Sequence, residues 1–136
     1  MTDSWTSQII GKTVDTIEQW EGCPCVITFS GGYRVQVESL WRLLSSGTLV
    51  LTSRDDGQFF GREQPVQALV ELSNKLTGLS LSAVHFSADT ADLTLNFGGH
   101  TFQVISDSSG YEAWQLEGPS GTVAVGQGGG NVAVFG

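Results

Sequence analysis

The chain has 136 residues, 40% hydrophobic and 15% charged, and carries a formal net charge of −8 at pH 7. That length and apolar content describe one folded domain, 1–136, with a core of its own, and exclude a disordered chain. Six Lys and Arg against fourteen Asp and Glu exclude a phosphate-tracking nucleic-acid surface, and no apolar run is long enough to span a bilayer.

The first eight residues, Met-Thr-Asp-Ser-Trp-Thr-Ser-Gln, carry no basic head and no long apolar stretch. They do not read as a secretory leader, so cytoplasmic residence is the expectation. Residues 1–9 are expected to form a mobile arm, with Trp5 and Ile9 as the groups able to dock. A short strand is expected from Val14 to Ile17, and a turn from Glu18 to Pro24. Cys25-Val-Ile-Thr-Phe29 then reads as a strand with Cys25, Ile27 and Phe29 on one face. Ser30-Gly31-Gly32 turns the chain into Tyr33, Val35 and Val37, which alternate with Arg34, Gln36 and Glu38.

Residues 38–52 fit two patterns. Leu40, Leu43 and Leu44 suit one side of a helical turn, and Trp41–Leu44 equally suits a strand. An internal repeat decides for the strand. Residues 25–61 and 93–136 share, in one order, a Gly-Gly turn, a Gln-Val strand, Trp-x-Leu, Ser-Gly-Thr and a closing Phe-Gly. Trp41-Arg-Leu43 therefore matches Trp114-Gln-Leu116. Ser45-Ser46-Gly47 becomes a turn and Thr48–Thr52 the returning strand, and Arg54-Asp55-Asp56-Gly57 is the next turn.

Residues 62–76 read as the one connecting helix, about 63–76 in its regular part. Pro65 suits a first helical position, Val66, Leu69, Val70, Ser73 and Leu76 recur at helical spacing, and Gly78 stops it. The second half repeats the first. Leu79, Leu81 and Ala83 alternate, with His85 on the opposite parity. Asp89–Asp92 turns, Leu93, Leu95 and Phe97 share a face, and His100–Ile105 returns after Gly98-Gly99. Strands at Tyr111–Glu117, Thr122–Gly126 and Asn131–Phe135 finish the chain. The fold class is thus mainly β: two antiparallel meanders, halves 10–61 and 77–136, related by a pseudo-two-fold repeat and forming a sandwich or a barrel.

Chemistry is sparse. Gly126-Gln-Gly-Gly-Gly-Asn131 leads into a strand and not a helix, so it is a hairpin turn and not a phosphate loop. Cys23 and Cys25, with His85 and His100 far along the chain, lack paired ligand spacing; no metal and no cofactor are expected. No nucleophile or metalloprotease motif occurs, so the expectation is a protein without catalytic residues. Tyr111, Glu112 and Trp114 are the candidate binding residues. Glu112 shares strand parity with Trp114, and the position aligned with Glu112 in the first half is Ser39. Asp55 and Asp56 join them as acidic contacts for a basic protein partner.

The phrase Tyr111-Glu-Ala-Trp-Gln-Leu-Glu-Gly-Pro-Ser-Gly121, followed by Gly128-Gly-Gly-Asn-Val-Ala-Val-Phe135, resembles the ending of a family of small bacterial proteins of unknown function. That family ends with Glu-Ala-Trp-x-Leu-x-Gly-Pro-x-Gly, then Pro-Gly-Gly and an apolar strand. Gly128 here stands where the family more often has Pro. The resemblance supplies no catalytic residues. Small acidic proteins of this kind suggest, by analogy, an immunity-type inhibitor of a basic toxin. The alternative is a small-molecule pocket lined by Tyr111, Glu112 and Trp114. Thr48–Thr52 and Asn131–Phe135 are edge strands through which a homodimer could form.

Overall fold

Pairing of the repeated segments explains the architecture. The computed structural model describes residues 4–135. A one-turn helix α1 (Ser4–Ser7) precedes β1 (Val14–Trp20), β2 (Cys23–Phe29) and β3 (Tyr33–Val37), which form an antiparallel meander. The chain then crosses to a second sheet as β4 (Leu40–Ser45) and β5 (Thr48–Thr52). Helix α2 (Ala68–Leu76) leads into a second meander of β6 (Ala83–Phe86), β7 (Leu93–Asn96) and β8 (His100–Ile105). The chain crosses back as β9 (Trp114–Gly118), β10 (Gly121–Gln127) and β11 (Asn131–Val134).

The result is a mainly β, sandwich-like fold of two antiparallel sheets. One runs β1-β2-β3-β9-β10-β11 and the other β5-β4-β8-β7-β6. Neither sheet belongs to one half: each takes three strands from one repeat and its remaining strands from the other. The exchange is symmetric. Val35 faces Leu116 and Val37 faces Trp114 between β3 and β9. Phe102 faces Leu43 and Val104 faces Trp41 between β8 and β4. Each Trp-x-Leu strand is therefore laid against the Gln-Val strand of the other half. The pseudo-two-fold axis passes by the bridge between Thr13 and Ser80, whose hydroxyl oxygens lie 3.3 Å apart. On one side of it Gly11 N–H donates to Leu81 O (2.7 Å), and on the other Gly78 N–H donates to Val14 O (2.9 Å). Both glycines have φ near +90°, a conformation costly to other residues.

The repeat also reaches the helices. Trp5 and Ile9 stand in the places of Leu72 and Leu76, and all four are buried. The expected mobile arm is thus docked in the described part: Trp5 stacks on Trp114 at 5.6 Å and meets Phe86 at 5.1 Å. Helix α2 is shorter than 62–76. The Gln58 and Val66 backbones pair instead, and Arg62 N–H closes a tight turn on Phe59 O, with Phe60 at φ 49° and Gly61 at φ 80°. The helix begins where Asp56 Oδ1 accepts from Ala68 N–H (2.9 Å). Ala68, Leu72 and Leu76 form its buried stripe, Val70 faces solvent, and its contacts run to β1 and β5. Those are edge strands of different sheets, so α2 closes the side of the sandwich between them and does not lie on a sheet face. No helix among the described residues is long and apolar enough to cross a membrane.

One core joins both halves, built from Cys25, Ile27, Phe29, Val35, Val37, Trp41, Leu43, Leu93, Leu95, Phe102, Val104, Trp114 and Leu116 among others. Trp114 is fully buried, and its indole N–H donates to Ala91 O at 2.7 Å. Ala91 reaches it by taking φ 67° in the β6–β7 connection. Opposite Trp114 in the ladder sits Gly126, where a side chain would overlap the indole nitrogen. Gly126→Ala should therefore cost roughly 2–4 kcal/mol of stability by overpacking. Gly99→Ala, with open space around it, should change stability by less than about 0.5 kcal/mol. Urea unfolding of both variants measures the contrast; equal effects would refute this account of Gly126.

Candidate functional site

The pseudo-symmetry has one large breach. Equivalent residues lie 67 apart at Val35 and Phe102 and 73 apart at Trp41 and Trp114, so six residues are inserted between β8 and β9. In the first half, Glu38 and Ser39 alone link β3 to β4. In the second, residues 106–113 make the equivalent crossing. Both crossings lie at the same end of the sandwich, stitched together where Glu38 N–H donates to Ala113 O (2.8 Å) and Ser39 Oγ to the same carbonyl (3.4 Å).

The inserted loop folds over the short link and forms a cleft of about 620 Å³ lined by Glu38, Asp107, Ser108, Gly110, Tyr111 and Glu112. Local hydrogen bonds set its shape. Asp107 Oδ2 accepts from Leu40 N–H at 3.3 Å. Ser108 Oγ accepts from Gly110 N–H (3.1 Å) and Tyr111 N–H (3.0 Å), which bends the chain before Tyr111. Gly110 is braced from behind by the β10–β11 turn: a side chain at Gly128 would collide with the Gly110 backbone. The glycine run is the expected hairpin turn, and its lack of side chains also admits this close approach. Tyr111 is 82% exposed, and Glu38, Asp107 and Glu112 are exposed beside it. Three acidic residues and one aromatic residue thus line a concavity that contains no Lys or Arg in its lining. Such a place suits a guanidinium or ammonium group, which carboxylates accept from and an aromatic face attracts.

The candidate residues separate accordingly. Tyr111 and Glu112 come together in the cleft. Trp114 does not join them: β9 starts at Trp114, Glu112 lies in the loop before it, and the indole points into the core. The expected parity between Glu112 and Trp114 fails because no regular strand connects them. Asp55 and Asp56 lie elsewhere and are engaged locally. Asp55 Oδ2 accepts from Thr52 N–H (2.9 Å) in a capping box, and Asp56 holds the start of α2. Glu38 and Asp107 were not singled out from sequence. The signal that could have found them is the unequal length of the two crossings.

A second concavity, about 440 Å³, lies beside the start of α2, lined by Gln19, Pro24, Trp41, Ser53, Asp56, Gln67, Ala68, Leu69 and Val70. Its one carboxylate already caps the helix. The buried Glu117 is also accounted for, accepting from Gln115 Nε2 and from Thr122 Oγ1 (2.9 Å).

Cys23 and Cys25 are free, buried thiols on β2, in the other sheet from His85 and His100. His100 Nδ1 lies 2.8 Å from Ser45 Oγ, and His85 is exposed. Among the described residues, no three His, Cys, Asp or Glu side chains group to hold a metal ion. Burial pushes the Cys25 thiol up to about 12, with Cys23 adding to it. Burial also raises Cys23, and nearby Glu38 raises it further, while its Sγ–H donates to Cys25 O and Val37 O.

The chain belongs to a family of unknown function, DUF6188, whose pattern matches residues 5–136. No curated protein and no solved structure matches it.

Two outcomes follow from the local chemistry. The folded state keeps Cys25 neutral, whereas the unfolded chain ionises it near 9.0. Stability from this thiol is complete below pH 9.0 and declines as pH rises toward about 12. Urea midpoints across that interval should fall less steeply for Cys25→Ala, and iodoacetamide at neutral pH should label the native thiols only as fast as the protein opens. Separately, Asp56→Ala should lower stability by about 1 kcal/mol through loss of the α2 cap, read by the same unfolding measurement.

Proposed function

We propose that this chain is a non-catalytic protein-binding module that takes a Lys or Arg side chain of a basic partner into the cleft between its two crossings. The observation that carries the reading is that Glu38, Asp107, Glu112 and the exposed Tyr111 line one cleft. The net charge of −8 favours encounter with a basic surface. The loop is held by Ser108, Asp107 and the Gly128 contact, so little order must be imposed on binding. Tyr is also a residue type that concentrates binding energy at interfaces. In its fuller form, the partner is a basic toxin domain and this chain its cytoplasmic immunity-type inhibitor. The reading assigns the chain no reaction.

The test is capture of the protein with its partner from a lysate of its own cells, followed by native mass spectrometry across a salt series. The double variant Asp107→Lys/Glu112→Lys should lose a stoichiometric basic partner, with affinity reduced by at least about 100-fold. Asp15→Lys, on the exposed face of β1, should retain it. Rising salt should weaken the wild-type complex. A complex that survives the double variant, or that ignores salt, would sink the proposal.

A further inference from the structure

The pseudo-two-fold repeat puts two tryptophans in equivalent positions and surrounds them differently. Trp114 is closed in on every side. Trp5 stacks on its ring at 5.6 Å, Phe86 backs Trp5 at 5.1 Å, and Ala91 O accepts from its indole N–H at 2.7 Å. Gly126 lies opposite it in the ladder.

All four of these neighbours differ around Trp41. Leu72 stands in the place of Trp5. Gln19 stands in the place of Phe86: it lies two residues beyond Ile17, as Phe86 lies two beyond Val84, and Ile17 and Val84 face the equivalent residues Ile27 and Leu95. Ser53 stands in the place of Gly126, and its Oγ accepts from the Trp41 backbone N–H at 3.2 Å. The Trp41 indole N–H finds no acceptor among the described residues, and although Trp41 as a whole is buried, this nitrogen is not sealed from solvent.

Two aromatic rings in one half are thus a leucine and a glutamine in the other. Where the rings fill space beside Trp114, a cavity of about 440 Å³ lies against Trp41, Gln19, Ser53 and the first turn of α2. That volume is in the range of small-ligand sites. The side-chain amides of Gln19 and Gln67 stand in its lining, exposed and bonded to no other described residue.

We infer that this cavity is a binding site for a small uncharged aromatic molecule carrying a carbonyl oxygen. The second half of the chain shows what fits against such a tryptophan: an aromatic face on the ring, as Trp5 provides, and a carbonyl oxygen for the indole N–H, as Ala91 provides. The free amides of Gln19 and Gln67 can bond further polar groups of the ligand. Asp56, also in the lining, disfavours an anion. The site shares no residue with the acidic cleft and does not depend on it.

Titration of the full isotope-labelled chain with indole-3-carboxamide, up to about 5 mM, tests this by NMR of the indole N–H signals. The Trp41 signal, identified by its loss in Trp41→Phe, should move, while the Trp114 signal stays in place. The dissociation constant should be on the order of 10⁻⁴ M. Trp41→Phe keeps an aromatic wall without the donor and should weaken binding about tenfold. Gln19→Phe restores the ring that Phe86 supplies in the other half and should weaken binding by at least about tenfold. Gln19 is on the surface, so that variant should keep the wild-type circular dichroism. Cyclohexanecarboxamide, with the carbonyl and no aromatic face, should bind at least about tenfold more weakly. A Trp41 signal that stays fixed throughout, undiminished binding by Gln19→Phe, or equal binding of cyclohexanecarboxamide would overturn the inference.

Discussion

Two cross-repeat pairings hold this molecule together: β3 against β9 and β4 against β8. In each, an apolar Trp-x-Leu strand from one half meets the Gln-Val strand from the other, Val37 opposite Trp114 and Val104 opposite Trp41. Neither half can bury its face alone. Three strands of a meander leave a bare edge and an apolar inner surface, and the partner half supplies both a neighbouring strand and an opposing layer. Leu43, Phe102, Val35 and Leu116 then become central, fully or almost fully buried, and both helices can close the sides of the sandwich. The cost is a fold rich in contacts distant in sequence, which predisposes it to slow folding.

The marks that were legible in the sequence are the ones backbone physics forces to be local. Gly31-Gly32 and the glycine run before Asn131 announced hairpins because positive φ demands glycine. The alternation at Tyr33, Val35 and Val37 announced one buried face. The repeat settled Trp41–Leu44 as strand against a plausible helical pattern. What the repeat could not convey is which half each strand pairs with, because Trp-x-Leu fits beside either Gln-Val strand by composition. Helix α2 is shorter than its pattern predicts for a comparable reason. Pro65 and Val66 suit a helix start, but the Gln58–Val66 pairing takes those residues and Asp56, twelve residues upstream, sets the true beginning. Trp5, one of the two groups able to dock, finds its partner Trp114 more than a hundred residues away, which no local pattern announces.

The structure separates the candidate residues Glu112 and Trp114, and the reason is instructive. Trp114 and Glu112 stand two apart, and that spacing puts them on one face only in a regular strand. The chain is a loop until Ala113, so the indole turns inward to Ala91 while the carboxylate remains with Asp107 and Tyr111 at the surface. Glu112 departs from the repeat, as does the whole loop that carries it. The shared positions are occupied by what both halves must do, namely pair and pack. The positions that differ are free of that duty. The six-residue insertion produced an acidic cleft with an exposed aromatic, and β11 was added to only one of the two sheets.

These two departures sit at opposite ends of the same strand. β4 starts at Leu40, whose N–H is bonded to Asp107 beside the cleft, and ends at Ser45, where the turn into β5 begins. Six residues of extended chain span close to 20 Å, so the edge at β5 and the cleft are separate surfaces, each defined by residues that the other does not use.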